Sequence, residues 1–268
     1  MSGSEAGTAA ATAAVLYEVS DGVATVTLNR PEQRNVLNAD SLAPLLAALE
    51  HAASDDAVRA EVLTGTGNTF CSGADLRGAA SDADGFASSG PRLTASVLEA
   101  LLDHPKPTIA RVQGHVAGGG NGLVAACDLA VAVEDARFAF TEVRVGVAPA
   151  VISVVCLRVM RPRDAAELML TGERVPAARA LQAGLLTEVV PAAELDATVG
   201  RWCAALRLGG PGAVAATKEL LRRVPALSRD EGFAYTSELS ARLFGGAEAA
   251  EGMSAFVERR PPAWAPPP

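Results

Sequence analysis

The sequence predicts an α/β fold up to about residue 150 and a helical region beyond it. In the first part, short apolar runs typical of buried parallel strands recur between helical or loop patterns. In the second part, almost every segment has the apolar spacing of an amphipathic helix. With 268 residues, of which 49% are hydrophobic, the chain is long enough to bury a substantial core.

The first elements are a hairpin and a helix. Residues 15–29 alternate apolar and polar side chains on both sides of an Asp21-Gly22 turn, which is the pattern of a β-hairpin. The segment 41–53 has helical periodicity, and Asp40 or Ser41 is expected to be its N-cap. The small residues 1–13 lack the basic and apolar regions of a secretory signal, and we expect them to form a flexible tail.

The same patterns predict the elements that follow. Strands are expected at 58–63, 108–112 and 129–133, and helices at 93–102, 152–160, 165–170, 177–183, 194–206, 214–223 and 230–244. The segment 81–91 is small, polar and interrupted by Gly and Pro, so we expect a mobile loop of the kind that often covers a site. The proline-rich C-terminal end is not expected to continue a helix.

Composition disfavours several classes of function. A net charge of −8 and a pI near 5.0 argue against a nucleic-acid surface or an anionic membrane face. The sequence contains no run of about 18 apolar residues, which is what would predict a transmembrane helix. The four cysteines are widely separated, without the spacing of metal ligands, and we interpret them as reduced core thiols of a cytoplasmic protein.

Two glycine-containing turns are the candidate binding features. The first is Ser72-Gly73-Ala74-Asp75, and the second is Gly118-Gly119-Gly120 before a short helix. Glycines let the backbone approach a ligand closely, and N–H groups at a helix N-terminus favour negative charge. If the two turns converge, they would form an anion hole. The alternative is that each turn is an ordinary tight connection.

A dinucleotide-binding turn is a second alternative for the glycines at 120 and 122. Residues 120–125 fit its spacing, and Glu134 or Asp135 follows where a ribose-binding acid could lie. However, the last predicted strand before the turn ends near Val112, and a helix over 119–126 is shorter than a crossover helix should be. A phosphate-binding P-loop is disfavoured because no G-K-[ST] follows.

Three segments together resemble the crotonase superfamily, also called enoyl-CoA hydratase/isomerase. They are FCSGADL at 70–76, GHVAGGGNGLVAACDLAVA at 114–132 and ARFAFTEVRVGVAPA at 136–150. Within the superfamily, 118–128 and 141–153 are most similar to the methylglutaconyl-CoA hydratase group.

This resemblance implies a spiral of repeated ββα units over residues 14–195, carrying an acyl-CoA site. It implies that 196–268 form a C-terminal helical region that builds homotrimers or homohexamers. The partner would be an acyl-CoA thioester, and no separate cofactor is expected because coenzyme A is part of the substrate. Neither a nucleic acid, a membrane nor a metal ion is expected to bind.

The resemblance also assigns the substrate contacts. The backbone N–H groups of Ala74 and Gly119 would form an oxyanion hole for the thioester carbonyl, with Gly118 in the same turn. Coenzyme A would follow the loop that contains Ser72, Asp75, Leu76 and Arg77. Arg34 and Arg77 are candidate phosphate partners, and the alternative is that both are ordinary surface arginines.

The expected catalytic carboxylates are the most unusual feature of the sequence. Hydratases of this superfamily use two glutamates, which would stand at positions 122 and 142, but the first is Gly122 here. Glu142 has apolar neighbours that should raise its pKa and suit it to proton transfer. The alternative is a surface acid paired with Arg144. Gly122 is expected to leave room for a branched or carboxylated acyl chain, whose carboxylate Arg144 could pair.

One carboxylate over an oxyanion hole permits several functions. We expect an enoyl-CoA hydratase-type lyase, in which Glu142 carries out both proton transfers and backbone groups or Asn121 help to hold the water. An enoyl-CoA isomerase would use the same residues. A superfamily member that binds acyl-CoA with little catalytic activity is a third hypothesis, because one expected acid is absent.

Overall fold

The computed structural model describes residues 13–75 and 86–265, with the backbone alone for residues 86–88. The predicted tail at 1–13 and the first part of the predicted loop at 81–91 therefore lie almost wholly outside the described residues.

The described chain forms ten strands and ten helices. The strands are β1 Val15–Ser20, β2 Val23–Leu28, β3 Ala60–Gly65, β4 Thr69–Cys71, β5 Thr108–Val112, β6 His115–Ala117, β7 Leu129–Val133, β8 Arg137–Ala139, β9 Val175–Pro176 and β10 Glu188–Val190. The helices are α1 Ala39–Ser54, α2 Phe86–Asp103, α3 Gly119–Ala126, α4 Ala150–Val159, α5 Pro162–Thr171, α6 Ala177–Ala183, α7 Leu195–Leu208, α8 Pro211–Arg223, α9 Arg229–Phe244 and α10 Ala247–Glu258.

The strands form two sheets that share one repeating connection. The six-stranded sheet has the order β1-β2-β3-β5-β7-β10, and the four-stranded sheet has the order β4-β6-β8-β9. Each of β3, β5 and β7 lies in the large sheet and is followed at once by a short strand of the small sheet, and then by a helical segment. This repeat is the spiral of ββα units that the resemblance implied, so the α/β fold class is confirmed.

Parallel pairing explains the apolar strands of the large sheet. The hairpin β1–β2 is antiparallel, as its Asp21-Gly22 turn predicted, whereas β2, β3, β5, β7 and β10 pair in parallel. All six residues of β3 are buried. A strand covered on both faces needs apolar side chains at nearly every position, and this is why these strands show continuous runs rather than alternation.

Helix α1 begins two residues earlier than its periodicity suggested. Its N-cap is Asn38, not Asp40 or Ser41. The Asn38 side chain accepts from the Ser41 backbone N–H at 3.1 Å, and the Ser41 hydroxyl accepts from the Asn38 N–H at 3.0 Å. Ser41 is therefore the N3 partner of a reciprocal capping box. Several cap-forming residues in a row made the true cap ambiguous.

The predicted mobile loop was wrong for residues 86–91, which form the first turns of α2. Helix α2 packs against α1, and this tertiary packing outweighs the weak helix propensity of its small, Gly- and Pro-containing start. The Thr94 hydroxyl donates to the Gly90 carbonyl at 2.8 Å.

After residue 150 the chain is mostly helical, as predicted. All six helices expected there are confirmed, with ends that differ by up to three residues. The sequence patterns missed helix α10 and strand β10, which pairs with β7 at the edge of the large sheet. A three-residue strand is too short to show a period of its own.

Candidate active site

The two glycine turns meet at one edge of the small sheet. Strands β4 and β6 are parallel neighbours, so their carboxyl ends emerge side by side. Gly73 has φ +85°, and a Cβ on it would lie 2.9 Å from both the Ala117 carbonyl oxygen and the Gly119 nitrogen. Only glycine permits this approach, because a side chain at position 73 would push the turns apart.

The meeting of the turns brings together two unused backbone donors. Ala74 forms a parallel bridge with Leu37 that uses the Gly73 carbonyl and the Asp75 N–H, at 2.8 and 3.1 Å, and leaves the Ala74 N–H out. Gly119 is the first residue of α3, where an N–H has no intrahelical acceptor. Within residues 13–75 and 86–265, neither N–H donates a hydrogen bond.

Asn121 fixes the shape of the second turn. Gly118 has φ +51°, and its N–H donates to the Ala139 carbonyl at 3.0 Å. The fully buried Asn121 side chain donates through Nδ2 to the carbonyl oxygens of Gly118 and Ala139, at 3.2 and 2.9 Å. Both amide protons are therefore directed at the backbone. The Asn121 Oδ1 atom, by contrast, is buried without a hydrogen-bond partner among the described residues, so the suggestion that Asn121 helps to hold a water stays a prediction.

The Glu142 carboxylate lies against this turn. Glu142 belongs to the short 3-10 turn Thr141–Val145, and a Cβ on Gly118 would be 3.6 Å from its Oε1. Its Oε2 is buried and has no hydrogen-bond partner within residues 13–75 and 86–265. Burial raises the pKa of Glu142 above its ordinary range, and its own backbone N–H opposes this in part. The predicted direction of the pKa shift is confirmed.

Arg144 points away from Glu142. Its Nε donates to the Thr171 carbonyl at 3.2 Å, and its side chain lies beside Gly172. The alternative that Glu142 is a surface acid paired with Arg144 is therefore wrong. Phe138 and Phe140, which precede Glu142 in sequence, are almost completely buried, whereas Val143, its apolar neighbour on the other side, is exposed.

The space beside Gly122 is filled. A Cβ on Gly122 would lie 2.5 Å from Ile152 Cγ2, 2.9 Å from Ile152 Cβ and 3.6 Å from Leu98 Cδ1. Gly122, Ile152 and Leu98 are all buried. The expectation that Gly122 leaves room for a branched or carboxylated acyl chain is wrong in this respect, because a side chain from α4 occupies that room.

The other predicted substrate contacts are partly within the described chain. The Ser72 N–H donates to the Arg34 carbonyl at 3.1 Å, so the exposed Arg34 stands next to the first glycine turn. Asp75 is half-buried and donates through its N–H to the Leu37 carbonyl. Leu76 and Arg77 lie outside the described residues.

The sequence patterns missed Asn35, which shapes the same region. Its backbone is left-handed, with φ +51°, and the side chain is buried. Nδ2 donates to the carbonyl oxygens of Thr66 and Thr69 at 3.0 and 2.7 Å, and Oδ1 accepts from the Arg30 N–H at 2.8 Å. Asn tolerates this backbone conformation better than most residues, but an isolated asparagine shows no period that could have identified it.

Other chemistry has little support in the described chain. All four cysteines are buried and unpaired, which agrees with their interpretation as core thiols, and burial raises the pKa of Cys71 to about 12. No group of three or more His, Cys, Asp or Glu side chains there could hold a metal ion. No helix in residues 13–75 and 86–265 has the length and apolar character needed to cross a bilayer.

The structure also disfavours the dinucleotide alternative, although only one of the two reasons expected from the sequence applies. The last strand before the glycines does not end near Val112, as expected, because β6 follows and leads straight into the turn. Helix α3 nevertheless spans only eight residues, and it is followed by the next strand pair of the spiral. This is not the long crossover helix of a dinucleotide-binding unit.

Comparison with known proteins identifies the family. The family model described as enoyl-CoA hydratase/isomerase matches residues 18–267. The (E)-benzylidenesuccinyl-CoA hydratase of Thauera aromatica is 33% identical over 252 residues, covering 93% of this chain and 98% of its own. The crystal structure of an enoyl-CoA hydratase from Mycobacterium smegmatis superposes with a TM-score of 0.88 at 35% identity, covering 94% and 98%. One from Shewanella pealeana gives 0.90 at 30% identity, covering 97% and 100%. The chain therefore belongs to the enoyl-CoA hydratase/isomerase family, the crotonase superfamily.

Proposed function

We propose that the protein is an enoyl-CoA hydratase-type lyase that adds water across the 2,3-double bond of an enoyl-CoA thioester. One observation carries the proposal: a buried carboxylate oxygen of Glu142 lies beside the turn where the N–H groups of Ala74 and Gly119 meet, and none of these three groups has a hydrogen-bond partner among the described residues. A donor pair next to a single base is the minimum that the reaction requires.

The two N–H groups act on the thioester carbonyl. When water adds to Cβ, negative charge develops on the carbonyl oxygen as an enolate forms. Fixed donors aimed at that oxygen stabilise the transition state, and the loss of one such donor costs about 3–4 kcal/mol. Because these donors belong to the backbone, the folded turns, rather than any exchangeable side chain, supply this stabilisation.

Glu142 moves both protons. Its ionised carboxylate removes a proton from the water as the water oxygen bonds to Cβ, and the protonated acid then returns that proton to Cα. The carbonyl re-forms, and the product is a 3-hydroxyacyl-CoA that is heavier by one water. The raised pKa of Glu142 makes it a stronger base than an exposed glutamate, and closer in pKa to the operating pH.

Isomerisation is the second candidate, and the filled space beside Gly122 favours it. The apolar side chains of Ile152 and Leu98 lie where a second acid would hold the water. Without that water, Glu142 could instead take a proton from Cα of a 3-enoyl-CoA and deliver it to Cγ. The double bond moves from the 3,4 to the 2,3 position, and the mass stays the same.

Coenzyme A is proposed to run along residues 72–77, with Ser72, Asp75, Leu76 and Arg77 beside it and with Arg34 and Arg77 near its phosphates. The exposed position of Arg34 next to Ser72 supports this path. The expectation of a carboxylated acyl chain is no longer supported, because Gly122 is covered and Arg144 donates to the Thr171 carbonyl.

We also propose that the protein forms homotrimers or homohexamers in the cytoplasm. The C-terminal helices carry large apolar side chains that a monomer would leave in water, including Phe256 at 86% and Val257 at 79% exposure. Contiguous exposed apolar surface of this kind marks protein interfaces. The four buried free thiols support a reducing compartment.

Turnover of the wild-type protein and of Glu142→Gln tests the proposal. Crotonyl-CoA is the first substrate. Its reaction is monitored through the loss of the conjugated-thioester absorbance and through mass spectrometry of the product. A gain of one water identifies the hydratase. Isomerase activity is tested with a 3-enoyl-CoA, whose absorbance rises without a change in mass. Binding without turnover on either substrate would indicate an acyl-CoA-binding member instead.

Glu142→Gln is expected to lower kcat by at least about 10²-fold, the usual scale for losing a general base, while the affinity for acyl-CoA stays nearly unchanged. The control is Glu134→Gln, which removes an exposed carboxylate from the neighbouring β7–β8 connection and should leave kcat intact. Full activity in Glu142→Gln would remove this residue from the mechanism.

A further inference from the structure

Helices α3 and α4 contact each other beside the candidate site, at a point where α4 carries a large side chain and α3 carries a glycine. Ile152 on α4 lies over Gly122 on α3, so closely that a methyl group on Gly122 would be 2.5 Å from Ile152 Cγ2. Further along the same two helices, the Cys156 thiol lies 3.7 Å from the Asn121 carbonyl oxygen. The helices are therefore held together along the length of this contact.

This contact is close to the reacting groups. Gly122 follows Gly118 by four residues, about one helical turn, and Gly118 is the residue against which the Glu142 carboxylate lies. An acyl chain whose carbonyl rests on the Ala74 and Gly119 N–H groups, and whose Cα faces Glu142, would direct its next carbon toward α3. The side chain over Gly122 then limits what can be attached to that carbon.

We propose that Ile152 is a specificity-determining residue that limits the enzyme to acyl groups unbranched at the β-carbon. This inference rests on the proposed function of the same site. Ile152 is 3% exposed, and Leu98, at the same exposure, would also contact a Cβ on Gly122, at 3.6 Å. A methyl branch at the β-carbon would need the volume that the Ile152 side chain fills. Both neighbours are apolar, so a charged branch would be excluded as well.

Affinities for two saturated thioesters test the inference without requiring turnover. Butanoyl-CoA and 3-methylbutanoyl-CoA differ by one β-methyl group, and calorimetry gives the dissociation constant of each. Wild-type protein is expected to bind the branched thioester at least about tenfold more weakly, which is the lower end of what one extra methylene-sized group costs in a filled pocket. Ile152→Ala should remove most of that ratio.

Two further variants separate selectivity from stability. Ile109→Ala makes the same truncation at the chain's other isoleucine, which is fully buried at the start of β5, and it should retain the wild-type ratio. Ile152→Val is a milder variant that should lower the ratio of the two dissociation constants to a smaller extent. It replaces Ile152→Ala as the test if that variant does not fold.

The outcomes distinguish this inference from the proposed function. Equal affinity of the wild-type protein for the two thioesters, or an unchanged ratio in both folded Ile152 variants, would overturn the role of Ile152 while leaving hydratase activity untouched. Selective binding together with full activity of Glu142→Gln would overturn the mechanism and leave Ile152 in place. A wild-type protein that binds neither thioester would contradict both proposals.

Discussion

At the scale of single residues, Glu142 combines a structural cost with the chemical role proposed for it. Its Oε2 is buried and accepts no hydrogen bond within the described chain, so the ionised form is poorly compensated in the folded protein. Water compensates it better in the unfolded chain. The same absence of a partner leaves the oxygen available for a substrate proton.

The pKa shift of Glu142 predicts how stability depends on pH. Because the folded-state pKa is raised, the folded protein binds more protons than the unfolded chain between the two pKa values. The contribution of this group to the free energy of unfolding therefore falls as pH rises through that window. Glu142→Gln should equal the wild type in stability at a pH below the ordinary glutamate range and exceed it near pH 7.

Thermal unfolding of the two proteins at several pH values measures this difference, with Glu134→Gln as the control for an exposed carboxylate. A gap in Tm that widens as the pH falls would contradict the assignment of a raised pKa to Glu142.

The residue scale also shows where sequence reasoning ends. The motifs around Gly73, Gly118 and Glu142 identified segments that the fold brings together, because a local pattern of glycines and one acid is visible in the sequence. What fills the space beside Gly122 was not visible. Ile152 is 30 positions further on and belongs to a different helix, so only the packing of α4 on α3 reveals it.

At the scale of elements, the contact of α3 with α4 sets how close the two helices can lie. Gly122→Ala is expected to destabilise the protein by about 1–3 kcal/mol, since the added methyl group must displace Ile152. Gly200 is a matched control in helix α7, with nothing within 4 Å of its Cβ position. Gly200→Ala should stabilise by about 0.5–1 kcal/mol through helix propensity alone.

Urea denaturation of both variants measures these free energies. If Gly122→Ala were as stabilising as Gly200→Ala, helix α4 would not press on Gly122, and the volume argued for Ile152 would be free. The pair separates packing from propensity because both changes add the same methyl group to a helical glycine.

Elements with a clear period were predictable, and those defined by their neighbours were not. The hairpin at 15–29, the strands β5 and β7 and the helix α6 agree with their sequence patterns to within a residue at each end. The three short strands of the small sheet that complete the ββα units, β4, β6 and β8, each span three residues. They are strands because another strand lies beside them, and the sequence of so short a segment does not record that pairing.

At the scale of the whole molecule, the C-terminal helices present apolar surface outward. Phe233, Phe244, Phe256 and Val257 are all at least 68% exposed. The sequence patterns predicted the helical character of this region, and its exposed apolar side chains support the proposed assembly, in which other subunits would cover them. The exposure of these side chains is visible in the folded chain but could not be predicted from the periodicity of the sequence.

We expect the double variant Phe256→Asp/Val257→Asp to dissociate the assembly into monomers, because two charges would have to be buried in the interface. Light scattering coupled to size-exclusion chromatography gives the mass directly. Ser240→Asp on α9 is the control, since this exposed polar side chain should tolerate a charge. A monomeric wild-type protein would contradict the proposed trimer or hexamer.

The approach of Gly73 to Gly119 also bears on how the protein is made. The Ala74 and Gly119 donors lie in different ββα units, so a nascent chain that has left the ribosome only as far as α2 carries one half of the pair. Neither unit alone carries both donors. If acyl-CoA uses both of them, as proposed, it should bind neither unit before the second has emerged and docked. After that it should bind only the native arrangement and stabilise it by mass action. Under the proposed function, acyl-CoA would therefore stabilise only a chain in which both units have folded and docked. Gly73 permits that docking because it places no side chain between the two turns.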